Sequence, residues 1–303
     1  MISPATYSFE GATTPAEACY CCGETRKSVD YLPEVAIARC HSCGTLRTAF
    51  SESAPRQDPW QMGSVTPAFL DALQRRRNLQ AAQIAAFFGA ELQRGPLIDY
   101  GCGQGSFVHL LRERRIDAFG CDISDSHLRN EVRDKFIRLA GPRALPDLND
   151  FRTISFLDVL EHVEDPGAFV AGLQDSNVTN VLVKVPMLKG PIGAGASILA
   201  RMGRSELLQR LLLVGEISPH YSFFTSRGLE DLFKRHGFTL KSSLRIADVG
   251  TELPERMRGK DGEPPVARTR LIGTCLGAIL ASIAPAWSDT RVFLFSRAPL
   301  LTR

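Results

Sequence analysis

The sequence predicts an α/β fold in which an open, mostly parallel sheet binds a nucleotide at its rim, with a small cysteine-rich unit ahead of it. Three observations point there. Leu97-Ile98-Asp99 is a short apolar run that leads directly into Gly101, Gly103 and Gly105. Such a run reads as a buried parallel strand, and glycines at alternate positions let the backbone turn sharply and approach a ligand where a Cβ would collide. A second run, Ala118-Phe119-Gly120-Cys121, ends at Asp122, a carboxylate suited to accept hydrogen bonds from both hydroxyls of a ribose. Finally, Cys19, Cys22, Cys40 and Cys43 form two Cys-x-x-Cys pairs separated by seventeen residues, the spacing of a zinc ribbon.

With 303 residues and 44% hydrophobic side chains, the chain has room for one large α/β domain and a small module. Thirty-six basic against thirty-three acidic residues leave a net charge of +3, which is no electrostatic footprint for a nucleic acid. A small-molecule substrate is the expected partner. The N-terminus carries no basic stretch followed by an apolar signal core, so a cytoplasmic location is expected. Leu271 to Trp287 runs seventeen residues without a charge, short of a comfortable bilayer span. It reads as a buried or interfacial helix, so no integral membrane span is expected, although a lipid-linked substrate is compatible with it.

Residues 1–50 read as the ribbon module. Two knuckles supply four thiolates at tetrahedral geometry, a closed ligand set with no open position, so the expected zinc is structural. Cys21 and His41 lie inside the knuckles but out of register. Residues 19–47 carry four basic and three acidic side chains and only two tyrosines, a poor surface for phosphates or stacked bases. Covering the substrate mouth or organising a dimer suits the module better, and both monomer and homodimer stay open.

Residues 51–66, with Pro55 and Pro59, read as a linker. Thr66-Pro67 then starts a helix expected to reach Phe88 and stop at Gly89, with Arg75-Arg76-Arg77 on a solvated face. The glycines follow Gly-x-Gly-x-Gly, and Ser106 stands where a dinucleotide motif has its third glycine, which disfavours a pyrophosphate ligand. Ser106 to Leu111 resumes with helical spacing. A helix is expected near Ser126 to Arg133 and a weak third strand within Lys135 to Asp150. Asn180 to Val185, closed by Pro186, reads as a buried parallel strand. The insertion 187–219 is longer than a connection needs and reads as a lid. Helix Ser226 to Arg235 ends at Gly237, followed by strand Phe238 to Ile246, a surface loop Glu252 to Arg270, and a last strand Arg291 to Ser296.

The chain resembles the class I S-adenosylmethionine-dependent methyltransferases, in which Asp-x-Gly-x-Gly-x-Gly follows the first strand and an acidic residue ends the second. Ile154-Ser155-Phe156-Leu157-Asp158-Val159-Leu160-Glu161-His162-Val163-Glu164-Asp165-Pro166 is similar to the fourth-strand motif of the branch with Asp-Val-Leu-Glu-His. The matches span about residues 67–246. The resemblance implies a Rossmann-like seven-stranded sheet of order 3-2-1-4-5-7-6 across 67–303, its last strand antiparallel. It further implies a cofactor site made by Asp99, Tyr100, Gly101, Cys102, Gly103, Gly105, Asp122, Ile123, Asp158 and Val159. Some methyltransferases acting on sugars and natural products have a similar N-terminal ribbon. The implied reaction is methyl transfer to a sugar, saccharide or secondary metabolite, at oxygen or carbon. An RNA methyltransferase gripping RNA with its ribbon and a catalytically silent cofactor-fold module are the competing readings.

A sulfonium is already a good leaving group, so in-line transfer mostly needs the acceptor held close and aligned. For a hydroxyl or an acidic carbon, a base within hydrogen-bond reach adds about 10²–10⁴. His162 follows the fourth strand. His220 and Tyr221 open a stretch that resembles the family's His-x-x-x-Phe-Thr segment at the active-site mouth. These three are the catalytic candidates, and a satisfied structural histidine is the alternative for each imidazole. Glu161 either fixes a ribose, orients His162 or is a surface carboxylate. His109 and His236 read as structural, and Cys102 has no evident base to make it a nucleophile.

Overall fold

A computed structural model describes residues 18–25, 29–32, 37–48, 67–187, 220–246 and 290–298. The linker 51–66, all but Met187 of the expected lid, the loop 252–270 and the apolar stretch 271–287 lie outside the described residues.

Two sheets are present among the described residues. The small one begins with β1 (Val29–Leu32), β2 (Ile37–Arg39) and β3 (Leu46–Thr48), paired antiparallel in sequence. After helix α1 (Pro67–Leu92) comes the large sheet: β4 (Leu97–Tyr100), α2 (Ser106–Glu113), β5 (Ala118–Asp122), β6 (Phe136–Arg138), β7 (Thr153–Leu157), α3 (Pro166–Ala171) and β8 (Asn180–Pro186). Strand β9 (Ser222–Phe223), α4 (Ser226–Arg235), β10 (Thr239–Ile246) and β11 (Thr290–Ser296) follow. The seven-stranded order is β6-β5-β4-β7-β8-β11-β10. Numbered within the sheet this is 3-2-1-4-5-7-6, with β4, β5, β6, β7 and β8 parallel and β11 antiparallel to both its neighbours. The Rossmann-like methyltransferase order expected from the sequence is the one observed.

Alternate residues of the central strands face opposite layers, which is why these strands read as continuous apolar runs. Ile98, Tyr100, Phe156, Val183, Phe293 and Phe295 pack on one side with Phe169 of α3 and Phe233 of α4. Leu97, Leu182 and Leu294 pack on the other with Ile84 and Phe88 of α1 and Phe107 and Leu111 of α2. Covering both faces leaves the carboxyl ends of β4, β5 and β7 side by side on one rim, in register through Tyr100↔Cys121 and Tyr100↔Phe156. Ligands of open α/β sheets bind at that rim.

Two expectations are corrected. Helix α1 runs through Gly89 to Leu92, because Leu92 is fully buried and draws the last turn onto the core. The helix expected over Ser126–Arg133 is a turn followed by a 3-10 segment, Asn130–Lys135. Ser124 and Ser126 bond each other at 3.0 Å, and the Ser124 hydroxyl accepts from the Ser126 amide, so serine side chains compete with helical pairing there.

The small sheet has a fourth strand that the sequence reading did not foresee. Strand β9 pairs antiparallel with β3, through Leu46↔Phe223 and Arg47↔Ser222. The ribbon cysteines accordingly share one core with Phe224, Leu229 and Leu232. Its second knuckle meets α4 so closely that a Cβ on Gly228 would lie 2.0 Å from Thr45 Oγ1 and 3.4 Å from Cys43 Sγ. Thr45 is fully buried and has nowhere to go. Gly228→Ala is therefore expected to lower stability by about 1–3 kcal/mol, measured as a lower Tm. A double-mutant cycle with Thr45→Ala should show that removing the hydroxyl relieves much of the loss; strict additivity would refute the contact.

Candidate functional site

The glycine loop is shaped from two sides. Gly101 has φ +70, a region open to glycine, and a Cβ there would lie 2.8 Å from Val159 Cγ2 of the turn after β7. From the other side, Asp122 Oδ2 accepts from the Gly103 amide at 2.8 Å and Oδ1 from the Ile123 amide at 2.7 Å. A carboxylate offers about four lone-pair positions, so holding the loop and accepting from a sugar hydroxyl are compatible roles. Cys102 is buried against Gly120, and burial pushes its thiol well up, which leaves it inert as a nucleophile. The side chain of Tyr100 points to the face opposite Leu97, packs on Phe156 and Phe169, and donates to the carbonyls of Pro142 and Ala144. Ile123 is exposed at the rim.

Three carboxylates converge behind this loop. Asp99 is buried and accepts from Ser155 Oγ at 2.6 Å. Desolvation raises its pKa to about 7; Asp122 and Asp158 push the same way, while the Ser155 hydroxyl and Arg77 oppose them. Asp158 is held in a left-handed conformation, φ 60, uncommon outside glycine and costly by about 1–3 kcal/mol. The chain fixes it at two points. Lys184 Nζ lies 2.5 Å from Asp158 Oδ2, and the Asp158 amide donates to the Lys184 carbonyl at 3.0 Å. Lys184, 2% exposed in the middle of β8, also donates to Gln80 Oε1 of α1 at 2.8 Å.

Beyond Asp158 the chain makes one 3-10 turn, Leu160–His162, and Tyr221 of the strand-β9 segment donates its amide to the Glu161 carbonyl at 2.8 Å. This contact brings together residues far apart in sequence. Glu161, His162 and His220 place one ligand-capable atom each within 4.8 Å of one another. The two imidazoles meet edge to face, centroids 4.7 Å apart, and Glu161 is buried beneath them. A buried carboxylate against two imidazoles can relay a proton, and the same donor set would take a divalent cation. Tyr221 is buried, its backbone spent on Glu161 and Thr48. His109, beside Glu113, and His236, at the end of α4 with its pKa lowered by burial, lie on helices away from this group.

Cys19, Cys22, Cys40 and Cys43 also converge, their sulfurs within 4.8 Å of one another. Thiolates around zinc at about 2.3 Å define a tetrahedron with edges of about 3.8 Å; here Cys19–Cys43 is 3.8 Å and Cys22–Cys40 is 3.6 Å. Disulfides would need about 2.05 Å, and all four cysteines are free. The donor set fits zinc. His41 is exposed and outside the group, whereas Cys21 is fully buried beside it.

A family profile described as a methyltransferase domain matches residues 73–243. The chain belongs to this family. It is an S-adenosylmethionine-dependent methyltransferase with the class I fold. The methyltransferase is similar in structure to magnesium protoporphyrin IX methyltransferase of Synechocystis PCC 6803 with bound S-adenosylhomocysteine, at 15% identity, covering 79% of this chain and 91% of that one with a TM-score of 0.46. It is also similar to 1,6-didemethyltoxoflavin-N1-methyltransferase of Burkholderia thailandensis, at 13% identity, 86% and 98% coverage and a TM-score of 0.44. No curated protein matches the methyltransferase in sequence. No helix among its described residues is long and apolar enough to cross a membrane.

Sequence reasoning missed Lys184, Gln80, Ser155 and Arg77. Lys184 was visible as a single charge inside an apolar strand. Arg77, read as part of a solvated face, instead reaches the loop: a Cβ on Gly103 would lie 3.4 Å from its Nη1.

Bound cofactor carries a sulfonium and an ammonium, both of which favour an ionised Asp99. With burial raising the Asp99 pKa to about 7, a cofactor bound beside it would release a proton below that value. Affinity for S-adenosylmethionine should therefore rise with pH through that value and level off above it. Calorimetry across this range is expected to show the slope for the wild type and a flat profile for Asp99→Asn; a slope that survives the substitution would assign it elsewhere. Asp122→Ala should weaken cofactor binding by about 1–3 kcal/mol, and unchanged affinity would mean that the ribose is held by other groups.

Proposed function

We propose that this methyltransferase acts on a small molecule, a sugar, saccharide or secondary metabolite, at a hydroxyl oxygen or an acidic carbon. The observation that carries the reading is the convergence of Glu161, His162 and His220 one turn beyond Asp158. In this reading Asp122 takes the ribose hydroxyls, Asp99 the cofactor's ammonium and Arg77 its carboxylate. Bound there, S-adenosylmethionine would supply an electrophilic methyl group, and Glu161, His162 and His220 would meet the acceptor. His220 removes the acceptor proton, His162 lies edge-on to it, and the Glu161 carboxylate stabilises the imidazolium that results. The proposed lid, 187–219, would exclude water from the transfer.

We further read residues 1–50 as a ribbon module whose four cysteines hold one structural zinc, joined by 51–66 to a catalytic domain over 67–303. A cytoplasmic enzyme, monomeric or dimeric, accords with this organisation. An RNA grip is less well supported, because the ribbon has few basic side chains and its Arg47 is engaged over the ring of Tyr20 at 4.5 Å. The intact set of Asp99, Gly101, Gly103, Gly105 and Asp122 speaks against a silent module.

The same 4.8 Å convergence favours one second reading, in which Glu161, His162 and His220 hold a divalent cation that binds acceptor oxygens. Metal analysis separates the two. About one zinc per chain, lost with Cys40→Ser and Cys43→Ser but kept in His220→Ala, is expected for the proton relay; a second metal that His220→Ala alone removes would favour the cation. With labelled cofactor and a panel of hydroxylated small molecules, His220→Ala should lower transfer by about 10²–10⁴ without loss of cofactor affinity. Full activity in that variant would overturn the assignment of the base.

A further inference from the structure

The contacts of the cysteine module run to the acceptor side of the rim. Strand β3 pairs with β9, and the Thr48 amide donates to the Tyr221 carbonyl at 3.0 Å, next to His220. From inside the first knuckle, the Tyr20 hydroxyl meets Ser222 Oγ at 2.6 Å. The second knuckle accepts through the Cys43 carbonyl from Thr225 Oγ1 at 2.6 Å, and that same hydroxyl caps α4 by accepting from the Gly228 amide at 2.9 Å. At the far end of α4, Arg235 Nη1 donates to the Tyr20 carbonyl at 3.2 Å and reaches those of Cys19 and Cys21 at 3.5 Å. On α3, Gly167 approaches Tyr20 so closely that a Cβ would lie 3.1 Å from the Tyr20 carbonyl oxygen. Both knuckles thus clamp the short segment that carries His220, front and back.

The cofactor loop is held by different groups, Asp122 on one side and Val159 on the other. A two-residue strand such as β9 has too few ladder bonds to fix itself: on one side β3 and the two knuckle backbones hold it, and on the other, among the described residues, only the Glu161 carbonyl on the Tyr221 amide and the bridge from Phe224 to Met187. The knuckle backbones turn around the four sulfurs. We infer that the cysteine module is the positioning element of the acceptor site: with its four thiolates tied by a metal it fixes the segment 220–225, and with it His220, while leaving cofactor binding unaffected. The inference rests on the reading of the cysteines as zinc ligands. It makes Tyr20, Thr48 and Arg235 positioning residues, acting on the acceptor side through His220.

The test uses the full chain, with zinc stripped by a chelator and its loss verified by metal analysis. Hydrogen exchange of the peptide over 220–225 should speed up by about tenfold or more, exchange over 99–106 should stay as it was, and affinity for S-adenosylhomocysteine should change by less than about twofold. The imidazole nitrogen resonances of His220 should shift in the same sample. Should stripping unfold the protein, Tyr20→Phe decides: it is expected to keep its zinc and its S-adenosylhomocysteine affinity, yet to speed exchange over 220–225 and move the His220 resonances. Verified zinc loss, or a folded Tyr20→Phe, with neither change overturns the inference while leaving the zinc reading intact. Purified chain without zinc refutes the zinc reading itself, and the inference with it.

Discussion

An ammonium group sealed inside a parallel sheet sets the terms for the rest of the site. Lys184 stands in the centre of β8 with 2% of its surface exposed, and burying such a charge costs several kcal/mol unless it is paired and hydrogen-bonded. Its partners are Asp158, just beyond the end of the neighbouring strand, and Gln80 of α1. The pair holds Asp158 in a conformation that a non-glycine residue seldom adopts. From that fixed point the chain sends Val159 back onto Gly101 and turns Glu161 and His162 the other way. The glycine loop and the Glu161–His162 turn are thus laid out from one residue, and α1 is drawn onto the sheet by the same ammonium.

Strand and helix ends were legible where local chemistry is strong. The run Asn180–Val185 closes at Pro186, α4 spans Ser226–Arg235 before Gly237, and β5 ends on Asp122, each within a residue of the sequence expectation. The loop glycines were legible too, because their spacing encodes a backbone conformation, and Gly101, Gly103 and Gly105 all take positive φ. What remained hidden was pairing across long separations. Gln80 and Lys184 are 104 positions apart, and nothing local in either marks the other. Arg77 looked like one of three solvated arginines because a helix face can be judged only when its neighbour is known. The misread turn after Asp122 has a local cause instead, since Ser124 and Ser126 spend their hydroxyls on backbone and on each other.

The cysteine module shows the same division. The grouping of Cys19, Cys22, Cys40 and Cys43 was legible from their spacing, and their sulfurs do converge. Its integration with the catalytic fold does not follow, because β9 is two residues long and no period of apolar side chains can announce it. A unit that reads as an appendage shares a sheet, a helix cap and a hydrophobic core with the methyltransferase fold.

That shared sheet also constrains the order of events during synthesis. The outer edge of β3 lies within the first fifty residues, yet the strand that covers it is 173 positions further along at the Thr48–Tyr221 contact. A nascent chain therefore emerges with this edge unprotected until most of the parallel sheet has left the ribosome, and non-local closures of this kind are slow. The edge is only three residues long, which limits the hazard of pairing with another copy. The pairing of β3 with β9 therefore closes only after the strands between them have been made, whereas β1, β2 and β3 can pair with one another locally.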